Sequence, residues 1–246
     1  MDAAARLAPL PATFRATREA VHRVATHVLA RRRHAATQRF GLRAAPGGLA
    51  TPAFGEGVEV VRLTRGGLVH ERDGRSRVIP LAATLGELAE AVGADLSAEF
   101  SAGHDTPPLG DTAAPLGLDP AALSALGDWY DLGAVVLDRA MGALGPAAQP
   151  SVVQLWPEHF DLACDVAHGP GDDQRANLGC SPGDAHSDDP YFYVSPFGPG
   201  RPGDGGYWNA PFGATLTRAR LSGEADPVAV AVAFLVEGVT RLRDPG

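Results

Sequence analysis

Gly66-Gly-Leu-Val-His-Glu-Arg-Asp-Gly74 is the stretch that decides the fold class of this chain. The dipeptides at its ends, Gly66-Gly67 and Asp73-Gly74, are typical of turns, and they enclose the short β-type run Leu68-Val-His-Glu71. A β-type run with a tight turn at each end predicts a strand between two antiparallel neighbours. The same punctuation recurs between Arg39 and Leu81, so we predict a meander of about four strands there.

Helical signals lie on both sides of this meander. Apolar residues at helical spacing predict an amphipathic helix from Ala12 to about Ala35. Its last turn carries Arg31-Arg32-Arg33, and we expect these cations to complement the helix dipole. After the meander, the capping-box pattern Thr84-Leu-Gly-Glu87 predicts a short helix that ends at Gly93.

Two further helices are predicted from an aspartate followed by proline, which is a strong helix start. Asp119-Pro120 begins a long helix that Gly145-Pro146 stops, and Asp226-Pro227 begins a final helix through Leu242. One face of the long helix should be buried against a sheet through four residues: Leu126, Tyr130, Leu137 and Met141.

The order of these signals predicts an α+β fold, with antiparallel sheet(s) flanked by helices. The region from Val152 to Leu221 is again β-like and rich in turns, so each half of the chain has strands between helices. Two arrangements fit this order: two similar helix-sheet-helix lobes, or one sheet wrapped by helices. We predict an N-terminal lobe over 1–100, a proline- and glycine-rich linker over 101–118, and a C-terminal lobe over 119–246 that carries the candidate site.

Composition excludes several classes of protein. The chain of 246 residues has no lysine, because all 21 basic residues are arginines. It therefore lacks the amine required by a Schiff-base enzyme, a pyridoxal phosphate anchor or a Walker A motif, and we predict no cofactor. The formal net charge of −8 works against nucleic acid or anionic lipid as a partner.

We expect a cytoplasmic protein with no membrane partner. The first residues lack a basic start followed by an apolar run, and the longest apolar stretch, around Val228 to Val236, is too short to span a bilayer. The two cysteines, Cys164 and Cys180, should stay reduced in that compartment. Nothing in the sequence predicts an oligomeric state.

The densest chemistry lies between Gln154 and Asn209. His159-Phe-Asp161 should place an imidazole and a carboxylate on one face of an extended strand. Asp161 or Glu158 could then act as a general base with His159 as its partner, if burial moves the carboxyl pKa toward neutrality. Asp184 is predicted as a second acid beside Asp161.

Aromatic residues surround these acids in the sequence. Tyr191 and Tyr193 should point to one face of a strand, while Trp156, Trp208 and Asn209 could close a pocket over a flat or sugar-like ligand. The competing interpretation is an ordinary sheet core in which Asp161 hydrogen-bonds a turn.

Metal binding is the alternative role for this segment. His159 and Asp161 with His186 would form a set of two histidines and one carboxylate, and Asp161 with Asp184 and Asp188 would suit a hard cation. Such short spacings are weakly specific, and several of these residues lie in a loop bounded by proline. We therefore predict no metal.

Four strings in this region resemble an uncharacterised bacterial family, a domain of unknown function common in actinobacteria: Trp156-Pro-Glu-His-Phe-Asp-Leu-Ala163, Leu178-Gly-Cys-Ser-Pro-Gly-Asp184, Pro190-Tyr-Phe-Tyr-Val194 and Tyr207-Trp-Asn-Ala-Pro-Phe-Gly213. Phe40-Gly-Leu-Arg-Ala-Ala-Pro-Gly-Gly48 is similar to the companion segment of such proteins. The resemblance implies no activity. Its distant members keep Phe-Asp-Leu-Ala without the preceding histidine, which favours Asp161 over His159 as the functional residue.

The sequence thus favours an enzyme that acts on a small polar molecule by carboxylate acid-base chemistry. The alternative is a non-catalytic module that binds a small molecule or a partner protein. Convergent carboxylates with a perturbed pKa would indicate the enzyme, and the same side chains spread over a flat surface would indicate the module.

Overall fold

A computed structural model describes residues 6–56, 58–198 and 205–244 of the chain. The α+β prediction is confirmed, because helices accompany two antiparallel sheets. Among the described residues, no helix has the length and apolar character needed to cross a membrane. By compactness the chain forms two units, which we call the meander unit (Pro9–Asp131 with Gln154–Phe160) and the C-terminal unit (Met1–Ala8, Leu132–Val153 and Asp161–Gly246). The two lobes over 1–100 and 119–246 and the linker between them stay a prediction.

The sheet of the meander unit has five strands, one more than predicted, in the order β1-β2-β3-β4-β5. Its strands are β1 (Arg43–Ala45), β2 (Gly48–Ala50), β3 (Val60–Thr64), β4 (Gly67–Arg72) and β5 (Arg75–Ile79). All neighbours are antiparallel, and β4 lies between the two turns that the glycines predict. Three of the four connections have only two residues, and each strand pairs with the next one along the chain, so the order in space follows the order in sequence.

One face of this sheet changes from apolar to charged along its length. Leu63 pairs with Leu68 across β3 and β4, and both side chains are fully buried. Further along the hairpin of β4 and β5, His70 pairs with Arg77 and Arg72 pairs with Arg75. Because residues two apart share a face and directly paired residues share a face, these charged side chains continue the buried row of Leu68.

The N-terminal helix begins and ends about two residues later than predicted and is less regular. It comprises α1 (Phe14–Val24), a π-helical segment (Ala25–Ala30) and α2 (Arg31–Thr37). Its arginines bind specific partners, since Arg31 donates to the carbonyl oxygens of Asp95 and Ala98, 2.6 and 2.9 Å away. Our expectation that these cations act through the helix dipole was therefore incomplete.

The capping box is confirmed at the start of α3 (Leu85–Val92), where Thr84 accepts from the Glu87 amide and the Glu87 side chain accepts from the Thr84 amide. The helix ends, as predicted, at Gly93, which has a left-handed backbone with φ of 69°. Another short strand of the meander unit, β6 (Gln154–Trp156), reaches β1 through a bridge between Leu155 and Leu42.

The C-terminal unit contributes four antiparallel strands to the second sheet, in the order β10-β9-β8-β7. They are β7 (Asp161–Ala167), β8 (Arg175–Ser181), β9 (Tyr191–Pro196) and β10 (Ala214–Thr217). A short helix, α5 (Arg218–Leu221), precedes the final helix α6 (Pro227–Arg243), which begins at the predicted proline. α6 packs on β9 so closely that a Cβ added at Gly238 would lie 2.8 Å from Val194.

The long helix α4 (Pro120–Leu144) begins and ends where the sequence predicts. Leu126, Tyr130 and Leu137 are fully buried, whereas Met141 is only half-buried. In the C-terminal unit this helix contacts the sheet at Gly133, where an added Cβ would lie 2.1 Å from the sulfur of Cys180. The absence of a side chain at Gly133 allows this approach.

Leu137→Ala should lower the free energy of unfolding by about 2–5 kcal/mol, because a fully buried leucine leaves a cavity. Urea denaturation of both proteins would measure the difference. Arg139→Ala is the control, since Arg139 is exposed on the same helix and its loss should change stability by less than about 0.5 kcal/mol. Equal effects of the two substitutions would contradict the burial of Leu137.

Candidate functional site

The two compact units divide the predicted site residues between them. Three lie in the meander unit: Trp156, Glu158 and His159. Six lie in the C-terminal unit: Asp161, Asp184, Tyr191, Tyr193, Trp208 and Asn209. The division falls between Phe160 and Asp161, so we describe two clusters of side chains separately.

The segment from Pro157 to Phe160 is a turn, so our prediction of an extended strand through His159 and Asp161 was wrong. Phe160 has a left-handed backbone with φ of 57°, and its amide donates to the Trp156 carbonyl at 2.7 Å. Proline at 157 has no amide for a sheet ladder, which favours the end of β6 at Trp156. The side chains of His159 and Asp161 therefore do not share one face of a strand.

Helix side chains fix this turn by binding its carbonyl oxygens. The Pro157 oxygen accepts from Thr26 Oγ1 at 2.7 Å and lies 2.8 Å from His22 Nε2. The Phe160 oxygen accepts from the Tyr130 hydroxyl at 2.7 Å. A carbonyl oxygen only accepts, so His22 must carry its proton on Nε2.

The ring of His22 also stacks on Phe160, with centroids 4.7 Å apart and planes 10° apart. Burial lowers the pKa of His22 from 6.5 to about 4, although the hydrogen bond to Pro157 acts in the opposite direction. His22 is therefore neutral at pH 7, in the protonation state that lets it stack on an apolar ring.

Glu158 projects from this turn into a buried environment. It is 8 % exposed, and its Oε2 has no hydrogen-bond partner within the described part of the chain. Burial raises the pKa of the Glu158 carboxyl, and its own backbone amide and the neighbouring His159 and His104 only partly offset this rise. A backbone segment covers it, since a Cβ added at Gly103 would lie 3.2 Å from Glu158 Cγ.

Beside Glu158 in the sequence, His159 takes part in a cluster with two residues of the loop after α3. One carboxylate oxygen of Asp105 lies 3.0 Å from His159 Nδ1 and 3.2 Å from His104 Nε2. The two imidazole rings meet edge to face, with centroids 5.6 Å apart. All three side chains are substantially exposed, so this cluster is accessible to a ligand from solvent.

The second cluster pairs carboxylates with phenols on one face of the C-terminal sheet. The Tyr193 hydroxyl donates to Asp161 Oδ2, and the Tyr191 hydroxyl donates to Asp184 Oδ2 at 2.5 Å. Tyr193 pairs with Gly179 across β9 and β8. A Cβ added at Gly179 would lie 2.6 Å from the tyrosine ring, so glycine allows the ring to lie over β8 and reach Asp161.

These phenols serve as hydrogen-bond donors to the two aspartate side chains. Burial raises the pKa of Tyr193 well above its ordinary value, and the charge of Asp161 raises it further. Burial likewise raises the pKa of Tyr191, with a further contribution from its hydrogen bond to Asp184. Both hydroxyls therefore keep their protons at any physiological pH, and each fixes the orientation of one acceptor.

The remaining predicted residues support loops or border this face. Asn209 binds the backbone of Thr215 twice, by donating to its carbonyl at 3.0 Å and accepting from its amide at 2.8 Å. Trp208 is buried and meets Tyr207 edge to face. The exposed ring of His186 meets the rings of Tyr191 and Phe212 edge to face, at centroid distances of 5.8 and 5.0 Å.

Within the residues that the structure describes, no group of three or more histidine, cysteine, aspartate and glutamate side chains is arranged to hold a metal ion. His159 lies in the meander unit, whereas Asp161 and His186 lie in the C-terminal unit. The absence of metal binding in solution stays a prediction.

Sequence reasoning missed several residues that shape the clusters. Two of them are histidines of the N-terminal helix, His22 and His27. His27 is 3 % exposed, and its Nε2 lies 2.8 Å from the Pro107 carbonyl. The loop after α3 covers the helix at this position. Asp105 carried no signal beyond its place in a proline- and glycine-rich loop.

Comparison with known proteins found no match among family models, curated proteins or solved structures.

The stability of the protein should fall as the pH falls from 6.5 toward 4, and His22 should account for about 3 kcal/mol of the loss. The reason is that the unfolded chain protonates this histidine at about its ordinary pKa, while the folded chain resists protonation. Chemical denaturation at several pH values would measure the effect.

His22→Gln should remove this part of the pH dependence. His34→Gln is the matched control, since His34 belongs to the same N-terminal helix but its ring meets Phe40 and Phe100 instead of the turn. The same acid sensitivity in the wild type and in His22→Gln would refute the assignment.

Proposed function

We propose that the protein is an enzyme that acts on a small polar molecule by acid-base chemistry, with Glu158 as the group that exchanges the proton. The observation that carries the proposal is the buried carboxyl of Glu158, whose Oε2 has no hydrogen-bond partner among the residues that the structure describes and whose pKa is raised by burial. Carboxyls in such surroundings are the usual general acids and bases of active sites.

The position of Glu158 suits proton transfer because its backbone is fixed. The turn that carries it is bound at both ends by side chains of two helices, through the Pro157 and Phe160 carbonyls. A rigid support keeps the carboxyl in one orientation, which a proton-transferring group requires. A ligand atom that donates to Oε2 would supply the partner that this oxygen lacks.

His159 and Asp105 would bind and orient the same molecule. The Asp105 carboxylate holds the imidazole of His159 through Nδ1, 3.0 Å away, which leaves Nε2 as the second ring nitrogen to meet a ligand. The carboxylate and imidazole are both accessible, so a hydroxyl or amine of a polar ligand can reach them. We propose that His159 positions the ligand and that Glu158 transfers the proton.

We also propose a cytoplasmic location and no nucleic-acid partner. Both cysteines are free and buried, and burial raises the pKa of Cys164 to about 12, so that it stays an unreactive thiol. The net charge of −8 disfavours a polyanion as a ligand.

A second candidate function is non-catalytic binding of a small polar molecule in the C-terminal unit. The observation in its favour is that two neighbouring carboxylates, Asp161 and Asp184, are each oriented by a phenol on one sheet face. Carboxyl acceptors among aromatic rings suit a ligand with amine or hydroxyl donors.

Glu158→Gln should reduce turnover by about 10²- to 10⁴-fold, the usual contribution of general acid-base catalysis. A panel of small polar metabolites would be tested for conversion by the wild type, and each substrate found would then be tested with the variant. Glu90→Gln is the matched control, because Glu90 is exposed on α3 and its change from carboxyl to amide should leave turnover unchanged. Full turnover by Glu158→Gln would rule out this role.

The same variant gives a readout that needs no substrate. The raised pKa of folded Glu158 means that the wild type loses stability as the pH rises from about 4.5 through the folded value, whereas glutamine stays neutral. The unfolding free energy of Glu158→Gln, relative to that of the wild type, should therefore increase as the pH rises. A difference independent of pH would show that Glu158 does not titrate abnormally.

Asp161→Asn tests the second candidate. If Asp161 binds a ligand, the variant should lose the rise in melting temperature that an amine or sugar from the panel gives to the wild type, while its own stability stays nearly unchanged. Asp138→Asn, an exposed change on α4, is the control. A loss of about 1–3 kcal/mol of stability with an intact ligand response would instead make Asp161 a structural acceptor for Tyr193.

A further inference from the structure

An open pocket of about 670 Å³ lies at the charged end of the β4-β5 hairpin in the meander unit. Its lining is dominated by cationic side chains and comprises His70, Arg72, Asp73, Arg75, Ser76 and Arg77. The pocket is separate from the residues of both clusters described above. Its volume is in the range of pockets that bind small molecules.

The strand register brings the cations together. Arg72 lies directly opposite Arg75, and His70 lies directly opposite Arg77. Arg75 and Arg77 are two residues apart on β5, so their side chains leave the same face of the sheet. Three guanidinium groups and one imidazole therefore share a single face within two residue pairs.

The buried carboxylate of Glu59 does not neutralise the pocket arginines, because it is already bound to Arg32 and His70. Glu59 accepts two hydrogen bonds from Arg32, at 2.7 and 2.6 Å, and lies 2.8 Å from His70 Nε2. Burial alone would raise the pKa of Glu59, but the bonds from Arg32 and His70 outweigh it and keep the pKa below its usual value. The charge of Glu59 thus balances Arg32, while His70 is held in place.

Nearby carboxylates compensate little of the positive charge of the three pocket arginines. Arg72 Nε is 3.4 Å from the carboxylate of Asp73 and 4.0 Å from that of Glu59, and the Arg72 side chain is more than half exposed. Within the described part of the chain, neither Arg75 nor Arg77 has a side-chain hydrogen bond or ion pair. Asp73 is the one carboxylate in the lining of this pocket, although Arg77 also borders a second cavity that Glu87 and Glu90 line.

We infer that this pocket binds a small molecule through its phosphate group. Guanidinium groups match phosphate oxygens with pairs of parallel hydrogen bonds. Arg75 and Arg77, which have no partner among the described residues, can offer these bonds without losing existing ones. The hydroxyl of Ser76 adds a neutral donor at the rim of the pocket. The concave shape and the net charge of −8 favour a small phosphate compound over a polynucleotide.

The competing explanation is that these arginines protect a sheet edge. β5 is the last strand of its sheet, and charged residues on such a strand prevent pairing with another chain. That role requires charge on the strand but no saturable site. Binding of a phosphate compound with defined stoichiometry therefore separates the two explanations.

Isothermal titration of the full-length chain with inorganic pyrophosphate, at low ionic strength, tests the inference. The wild type should bind one pyrophosphate per chain, and the double variant Arg75→Gln/Arg77→Gln should weaken the dissociation constant at least tenfold. Arg65→Gln is the matched control, since Arg65 is exposed in the turn at the other end of β4 and carries the same charge. The melting temperature of each variant shows that it is folded.

Three results would overturn the inference: no saturable binding by the wild type up to millimolar pyrophosphate, equal affinity of the double variant and the wild type, or equal weakening by Arg65→Gln and by the double variant. The last result would indicate a general charge effect.

A separate titration uses a single-stranded oligonucleotide. Oligonucleotide binding that depends on Arg75 and Arg77 but resists competition by pyrophosphate would also overturn it, in favour of a polynucleotide site.

Discussion

The left-handed turn at Phe160 is the constraint on which the candidate active site depends. A bulky residue with φ of 57° costs roughly 1–3 kcal/mol relative to ordinary backbone, so surrounding contacts must hold it. Those contacts are hydrogen bonds from Thr26 and Tyr130 and the contact of His22 with the same turn. They satisfy carbonyl oxygens that would otherwise be buried without partners. Because two helices supply the donors, the turn forms only when the meander unit has folded.

The turn also separates carboxyls that are close in sequence. Glu158 and Asp161 are three residues apart, yet they belong to different compact units and have different surroundings. Among the described residues Glu158 Oε2 has no hydrogen-bond partner, and burial raises the pKa of its carboxyl, whereas Asp161 Oδ2 accepts from the Tyr193 hydroxyl. The raised pKa of the Glu158 carboxyl is the reason why we propose proton transfer at this residue.

Local sequence signals predicted the helices and strands, whereas contacts between residues far apart in the sequence define the site. The Thr84–Glu87 capping box and the Asp226 cap act within four residues, so the sequence displays them directly, and the structure confirms both. The turn at Phe160 has no such signal, because glycine or asparagine is the usual left-handed residue and the stabilising donors come from distant helices. The burial of His27 likewise depends on a loop 80 residues away. Periodicity in one helix cannot reveal a cover supplied by another segment.

The arginines show how the same residue type takes different roles in a chain without lysine. Arg31 and Arg32 lie where carbonyl or carboxylate oxygens are fixed nearby, and their planar guanidinium groups bind those oxygens at 2.6–2.9 Å. Arg75 and Arg77 lie on an edge strand, where the opposite residues are themselves cationic or neutral. Glu59 would be the natural partner, but Arg32 already holds it. The ion pair with Arg32 therefore prevents Glu59 from compensating the charge of Arg75 and Arg77. A phosphate group from solution can take the place of that carboxylate.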